Sequence, residues 1–198
     1  MTRSIAIVST GTANVASMEA GLRRAGAETF RTSDPDQVAD AVGVVIPGVG
    51  TFAAAMKHLR ETGIDDALRA RFRSGQPVLA VCLGLQLLGR TSEESPGETG
   101  LGIVDLDVVG LPEGATRPQL GWNEVVPSMP GMVECGHAYF ANSYCLRSEA
   151  EDWQPSHAHH GDQFLAAMQR DRQLACQFHP ELSGAWGVAL LTRWVGAC

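Results

Sequence analysis

Three short apolar runs punctuate the first half of the chain, at residues 4–8, 42–46 and 78–81. None is broken by a charge, which suits strands buried on both faces. Thr29-Phe30-Arg31-Thr32 suits a further strand between the first two. The segments in between carry a helical period. Over 15–24, Met18 and Leu22 recur on one face, with Gly11 making the turn before it, Asn14 placed to cap it and Gly26 to stop it. Asp34-Pro35-Asp36 places proline just inside a short helix. Helical patterns over 52–61 and 64–73 end at Gly63 and Gly75. Strands alternating with helices at this spacing predict an α/β fold with a mostly parallel central sheet flanked by helices.

The second half changes character. Residues 102–111 alternate Ile103, Val104, Leu106 and Val108 with Asp105 and Asp107, which predicts a more exposed strand. Residues 121–125, 137–144, 164–168 and 174–178 read as further strands, the last two separated by a turn at Asp171-Arg172. These predict an additional mixed or antiparallel sheet, closed by an amphipathic helix over 185–195. The polar loop at 91–100 is too short to act as a linker, so residues 1–198 are expected to form a single domain.

Composition narrows the function. The 198 residues carry a net charge of -7 and no run of Lys or Arg, which gives nucleic-acid binding no support. No apolar stretch approaches the roughly 20 residues of a membrane span. The N-terminal apolar run is too short for a signal peptide, so a cytoplasmic protein is expected. The five cysteines, Cys82, Cys135, Cys145, Cys176 and Cys198, are scattered and include no C-x-x-C. That argues against a disulfide framework or a structural zinc site. No P-loop or G-x-G-x-x-G is present, so no nucleotide cofactor is expected. His157, His159 and His160 cluster without an acidic or thiol partner at a familiar spacing, and read as solvated loop or strand-end residues rather than metal ligands.

Chemistry concentrates at Val78-Leu79-Ala80-Val81-Cys82-Leu83-Gly84-Leu85-Gln86-Leu87-Leu88. A strand turning into a helix at a cysteine is the pattern of a nucleophile elbow, with the helix N-terminus favouring the thiolate. A thiolate needs a base, and His179 in Gln177-Phe178-His179-Pro180-Glu181 can supply one, with Glu181 close enough to orient it. The Leu83 N–H is the natural first donor of an oxyanion hole. Pro47-Gly48-Val49-Gly50 ends a parallel strand at the same sheet edge. Gly48 and Gly50 permit close approach of substrate, and the Val49 N–H is the second donor.

Together these motifs resemble the class I, or triad, glutamine amidotransferases over nearly the whole chain. Within that group, Pro47-Gly48-Val49-Gly50-Thr51-Phe52, Ser92-Glu93-Glu94, Gly121-Trp122-Asn123-Glu124-Val125 and Asn142-Ser143-Tyr144 are similar to the glutaminase subunits of imidazole glycerol phosphate synthases. The resemblance implies the class I amidotransferase fold and a Cys82-His179-Glu181 triad that hydrolyses glutamine through a γ-glutamyl thioester. It further implies that Gln86 helps bind glutamine, that Glu94 meets its α-ammonium, and that Ser143 and Tyr144 hold its α-carboxylate. The implied partner is a (β/α)8-barrel cyclase that receives the ammonia. A glutaminase of another pathway and a non-catalytic scaffold subunit are the competing readings. The chain departs from the family pattern at Ser9, Thr10, Ala13, Asn142 and Leu182. At the last of these, a charge expected to pair with the cyclase is missing.

Overall fold

A computed structural model of the chain describes residues 3–10 and 15–198. The turn expected at Gly11 and the cap expected at Asn14, like the departure at Ala13, lie outside the described residues. The first half runs β1 (Arg3–Val8), α1 (Ala16–Arg24), β2 (Ala27–Thr32), α2 (Pro35–Asp40), β3 (Gly43–Ile46), α3 (Phe52–Thr62), α4 (Ile64–Arg73), β4 (Val78–Val81) and α5 (Leu83–Gln86). The second half runs β5 (Val109–Gly110), β6 (Gln119–Pro127), β7 (Gly136–Asn142), β8 (Tyr144–Cys145), β9 (Gln154–His160), β10 (Asp162–Arg170) and β11 (Gln173–Cys176). A 3-10 turn at Pro180–Leu182 and α6 (Gly184–Ala197) complete it.

Among the described residues, nine strands form one sheet in the order β2-β1-β3-β4-β11-β10-β9-β6-β7. The first five run parallel. From β11 onward each neighbour is antiparallel. The antiparallel strands therefore prolong the parallel sheet, and β5 with β8 forms a separate two-stranded one.

Both faces of the parallel half are covered, which is why its strands are apolar at nearly every position. Ile5, Ile7, Val45, Leu79, Val81 and Leu174 meet Met18 and Leu22 of α1 and Leu190, Leu191 and Trp194 of α6. Ala6, Val8, Val44, Ile46, Val78 and Ala80 meet Val38 of α2, Phe52, Met56 and Leu59 of α3, and Leu68 and Phe72 of α4. The helix ends follow local chemistry. Asp34 accepts the Asp36 N–H at 2.9 Å at the start of α2, and Gly63, at φ 73°, ends α3 and opens α4. Arg71 of α4 is buried, and its guanidinium donates to the carbonyls of Val38, Ala39, Ala41 and Pro77, tying the end of α2 to the approach to β4.

Two expectations are corrected, and two are made more specific. Residues 102–111 are mostly irregular, with only Val109–Gly110 in a strand. Leu101, Ile103 and Val108 donate instead to Leu87, Leu88 and Thr91, so the segment folds back on the loop after α5. Its alternation reflects Val104 and Val108 buried while Asp105 and Asp107 face Arg90. The strand expected over 137–144 breaks at Ser143, where the chain leaves β7 for β8. The helix after Cys82 is a single turn. His157, His159 and His160 lie within β9, a strand the pattern did not reveal.

Candidate active site

The parallel ladder delivers Cys82 to the carboxyl edge of the sheet. It sits just after β4 at φ 54° and ψ -110°, a conformation that costs a non-glycine residue energy and marks a strained turn. Its N–H donates to the Cys176 carbonyl at 2.7 Å, and its own carbonyl accepts the Gln86 N–H at 3.2 Å. The turn is clamped by two glycines. A Cβ on Gly48 would lie 1.9 Å from the Val81 oxygen and 2.3 Å from the Leu83 nitrogen. One on Gly84 would lie 2.3 Å from the Ile46 oxygen. The exit of β3 and the elbow thus interlock backbone against backbone, and only glycine fits at either contact. Because α5 is one turn long, little helix dipole is available to favour a thiolate, and that task falls to neighbouring side chains.

The foremost neighbour is His179. It follows β11, the strand paired in parallel with β4, so base and thiol leave adjacent strands at one edge. Its N–H donates to the Tyr139 carbonyl of β7 at 2.8 Å. Ser183 Oγ donates to the His179 carbonyl at 2.6 Å and accepts the Tyr139 N–H at 2.9 Å. The 3-10 turn then brings Glu181 Oε1 to 2.9 Å from His179 Nδ1, with only 9% of either side chain exposed. Burial alone would lower the pKa of the imidazole. Its hydrogen bonds to Cys82 and Glu181, with their charges, outweigh this and raise it to about 10.

A cavity of about 380 Å³ opens over the cysteine. Of the residues singled out from the sequence, Gly48, Val49, Gly50, Cys82, Leu83, Gln86, Glu94, Ser143, Tyr144 and His179 line it. Glu181 stands behind His179. Pro118, Leu120, Ala141 and Asn142 also line it, and sequence reasoning missed them as wall residues. Asn142 belongs to the Asn142-Ser143-Tyr144 motif itself, and the signal for the other three was their place near that motif and Gly121-Trp122-Asn123. Glu94 has a further role: its Oε2 accepts the Phe52 N–H at 2.7 Å, capping the first turn of α3. Gln86 donates through Nε2 to the Tyr144 carbonyl at 2.9 Å and to Gln177 Oε1 at 3.2 Å. Gln177, fully buried, directs its own Nε2 at Cys82 Sγ, 3.6 Å away.

Elsewhere, a larger hollow of about 740 Å³ is walled by charged side chains, Arg90, Glu93, Asp107 and Arg147 among them, and neither Cys82 nor His179 lines it. In the histidine cluster, His157 Nε2 lies 3.3 Å from Glu149 and His160 Nε2 lies 2.8 Å from the Thr116 carbonyl. Among the described residues no three His, Cys, Asp or Glu side chains gather as a metal site.

Residues 12–194 match the family model of glutamine amidotransferase class-I. The chain belongs to the class I glutamine amidotransferases. Among curated relatives of this amidotransferase, the imidazole glycerol phosphate synthase subunit HisH of Escherichia coli (strain K12) is 40% identical, covering 97% of this chain and 98% of the relative. The protein of the same name from Symbiobacterium thermophilum is 37% identical over 96% and 92%. Solved structures agree on the fold. A crystal structure described as a glutamine amidotransferase superposes with a TM-score of 0.77 at 21% identity, covering 96% of this chain and 98% of that one. The structure of PurLQS from Thermotoga maritima gives 0.75 at 14% identity, over 98% of each chain.

Proposed function

We propose that this amidotransferase is the glutaminase subunit of an imidazole glycerol phosphate synthase, acting in histidine biosynthesis in the cytoplasm. The observation that carries the reading is that Cys82 and His179 share the wall of the 380 Å³ cavity while Glu181 holds His179 from behind at 2.9 Å. The 37–40% identity to HisH proteins over nearly the whole chain supports the pathway. Among the described residues, no helix is long and apolar enough to cross a membrane.

Cys82 attacks the side-chain amide carbon of glutamine as a thiolate. The C–S bond forms and the carbonyl π electrons move onto oxygen, where the N–H groups of Leu83 and Val49 receive them. The protonated His179, oriented by Glu181, gives its proton to the amide nitrogen. The C–N bond breaks, and ammonia leaves a γ-glutamyl thioester. Neutral His179 then takes a proton from water as the water oxygen attacks the thioester. The C–S bond breaks and glutamate departs, restoring thiolate and imidazolium. Gln86 and Glu94 hold the amino-acid end of glutamine with Ser143 and Tyr144, Glu94 meeting the α-ammonium and the 143–144 segment the α-carboxylate.

Ammonia passes to a (β/α)8-barrel cyclase, which makes imidazole glycerol phosphate and an aminoimidazole carboxamide ribotide. The docking face we assign is the apolar rim of the cavity. Leu120 and Trp122 are 67% and 58% exposed, and Leu182 is exposed as well. Aromatic residues of this kind anchor protein interfaces. The test is reconstitution with a barrel cyclase. Cys82→Ala is expected to abolish glutamine-dependent turnover and keep ammonia-dependent turnover. Undiminished glutamine use by the variant would rule out Cys82 as nucleophile. Glutamate release stimulated by an anthranilate-type partner but not by the cyclase would overturn the pathway.

A further inference from the structure

Gln177 is a buried polar side chain at the nucleophile that the glutaminase mechanism leaves unused. It is fully buried, and its backbone is fixed by an N–H bond to the Ala166 carbonyl at 2.8 Å. Its side-chain amide has two neighbours, Gln86 Nε2 at 3.2 Å and Cys82 Sγ at 3.6 Å. A buried amide could in principle present either end to either neighbour, and the choice decides whether the sulfur meets a donor or an acceptor.

The hydrogen-bond chain settles the choice. The Tyr144 carbonyl can only accept. It takes a hydrogen from Gln86 Nε2 at 2.9 Å and another from Asn142 Nδ2 at 3.1 Å. Gln86 must therefore turn its NH2 group toward Tyr144, and the same nitrogen faces Gln177. Gln177 must answer with its oxygen, which leaves its NH2 group directed at the sulfur. One backbone carbonyl thus sets the polarity of the relay Tyr144, Gln86, Gln177, Cys82. A thiol is a weak acceptor, whereas a thiolate accepts a charge-assisted bond, which gains strength away from water. The amide therefore favours the reactive form of the sulfur from a side other than the imidazole.

We propose that Gln177 is a positioning residue of the glutaminase reaction: its side-chain amide donates to the Cys82 thiolate and fixes the sulfur against His179, held in that orientation by the Tyr144 carbonyl acting through Gln86. The inference rests on Cys82 being the nucleophile of the proposed glutaminase.

The test uses the full-length chain and two variants of similar size, Gln177→Met and Gln177→Leu, neither of which carries an N–H or O–H to donate. Alkylation of Cys82 by iodoacetamide is followed by intact mass across pH, with Cys82→Ala correcting for the other thiols. Each variant is expected to react about tenfold more slowly than wild type on the acid side and to converge with it at alkaline pH, as expected for loss of one hydrogen bond to a charged group. In the complex with a barrel cyclase, the loss should fall on kcat rather than KM. A merely structural role would lower thermal stability and raise KM without moving the pH profile of alkylation. That result, or wild-type alkylation in both variants, would overturn the proposal. Should neither variant fold, the Gln177 side-chain amide resonances of the wild type decide. They are expected to shift on alkylation of Cys82, and unmoved resonances would sink the idea. Alkylation needs no substrate, so failure of the glutaminase reading would appear as absent glutamine turnover in the wild type, with the alkylation contrast still measurable.

Discussion

Gly48→Ala puts the clamp on the elbow to its sharpest test. The added Cβ would stand 1.9 Å from the Val81 oxygen, 2.3 Å from the Leu83 nitrogen and 2.9 Å from the Cys82 Cβ. A carbon and a carbonyl oxygen come to rest at about 3.3 Å, so the exit of β3 and the elbow must separate by roughly 1.4 Å. The atoms in the way are mostly backbone, and no side-chain rotation relieves them. Overpacking of this kind costs about 1–3 kcal/mol, or roughly 2–12 °C of melting temperature for a chain of this size. The same displacement carries Leu83 and Val49 away from the oxygen they would bind, and a misplacement of about 1 Å costs on the order of 100-fold in rate. Calorimetry combined with glutamate release in the cyclase complex reads both effects. A variant that melts and turns over like wild type would show that the interlock is not what sets the site.

Other outcomes follow from separate features. Arg71→Met should lower the unfolding free energy by about 3 kcal/mol in urea titrations, because buried carbonyls of Val38, Ala39, Ala41 and Pro77 lose their donor; an unchanged midpoint would contradict this. The folded state raises His179 from 6.5 to about 10, so its contribution to stability is complete below the unfolded value and disappears as pH rises through about 10. Wild type should therefore lose a few kcal/mol between about pH 6.5 and 10 that His179→Gln does not lose; parallel curves would refute the coupling. Trp122→Ala should weaken association with the cyclase by about 2 kcal/mol, the scale of an interface anchor, while moving the melting temperature little, since the ring is 58% exposed. Calorimetric titration reads the first and thermal unfolding the second.

Much of this was legible in the chain for a physical reason. Strands buried on both faces must be apolar throughout, so β1, β3 and β4 announce themselves, as do the glycine-stopped helices α3 and α4. The elbow at Cys82 and the His179-Pro180-Glu181 turn were legible because both are local structures with local signatures. What stayed hidden depends on distant partners. β9 reads Gln154-Pro155-Ser156-His157-Ala158-His159-His160 and fills its inward positions with the small residues Ser156 and Ala158, which leave no apolar alternation to see. Residues 102–111 alternate convincingly, yet their backbone partners lie in the loop after α5 rather than in a strand. Arg71 looks like any helical surface arginine until α2 closes over it. Gln177 acquires a role only when Gln86, 91 positions earlier in the chain, meets it in space.

The parallel pairing of β4 with β11 has a consequence for how such a chain can change. Cys82 and His179 each follow the end of one of these strands, so the gap between them moves in discrete steps like meshed teeth. Adding a single residue inside either strand advances its group by about 3.3 Å and turns it to the opposite face. No gradual retuning passes through that step. Insertions are therefore expected to be least tolerated within β4 and β11, and better tolerated in the exposed part of the connection around 112–117, which lies outside both strands.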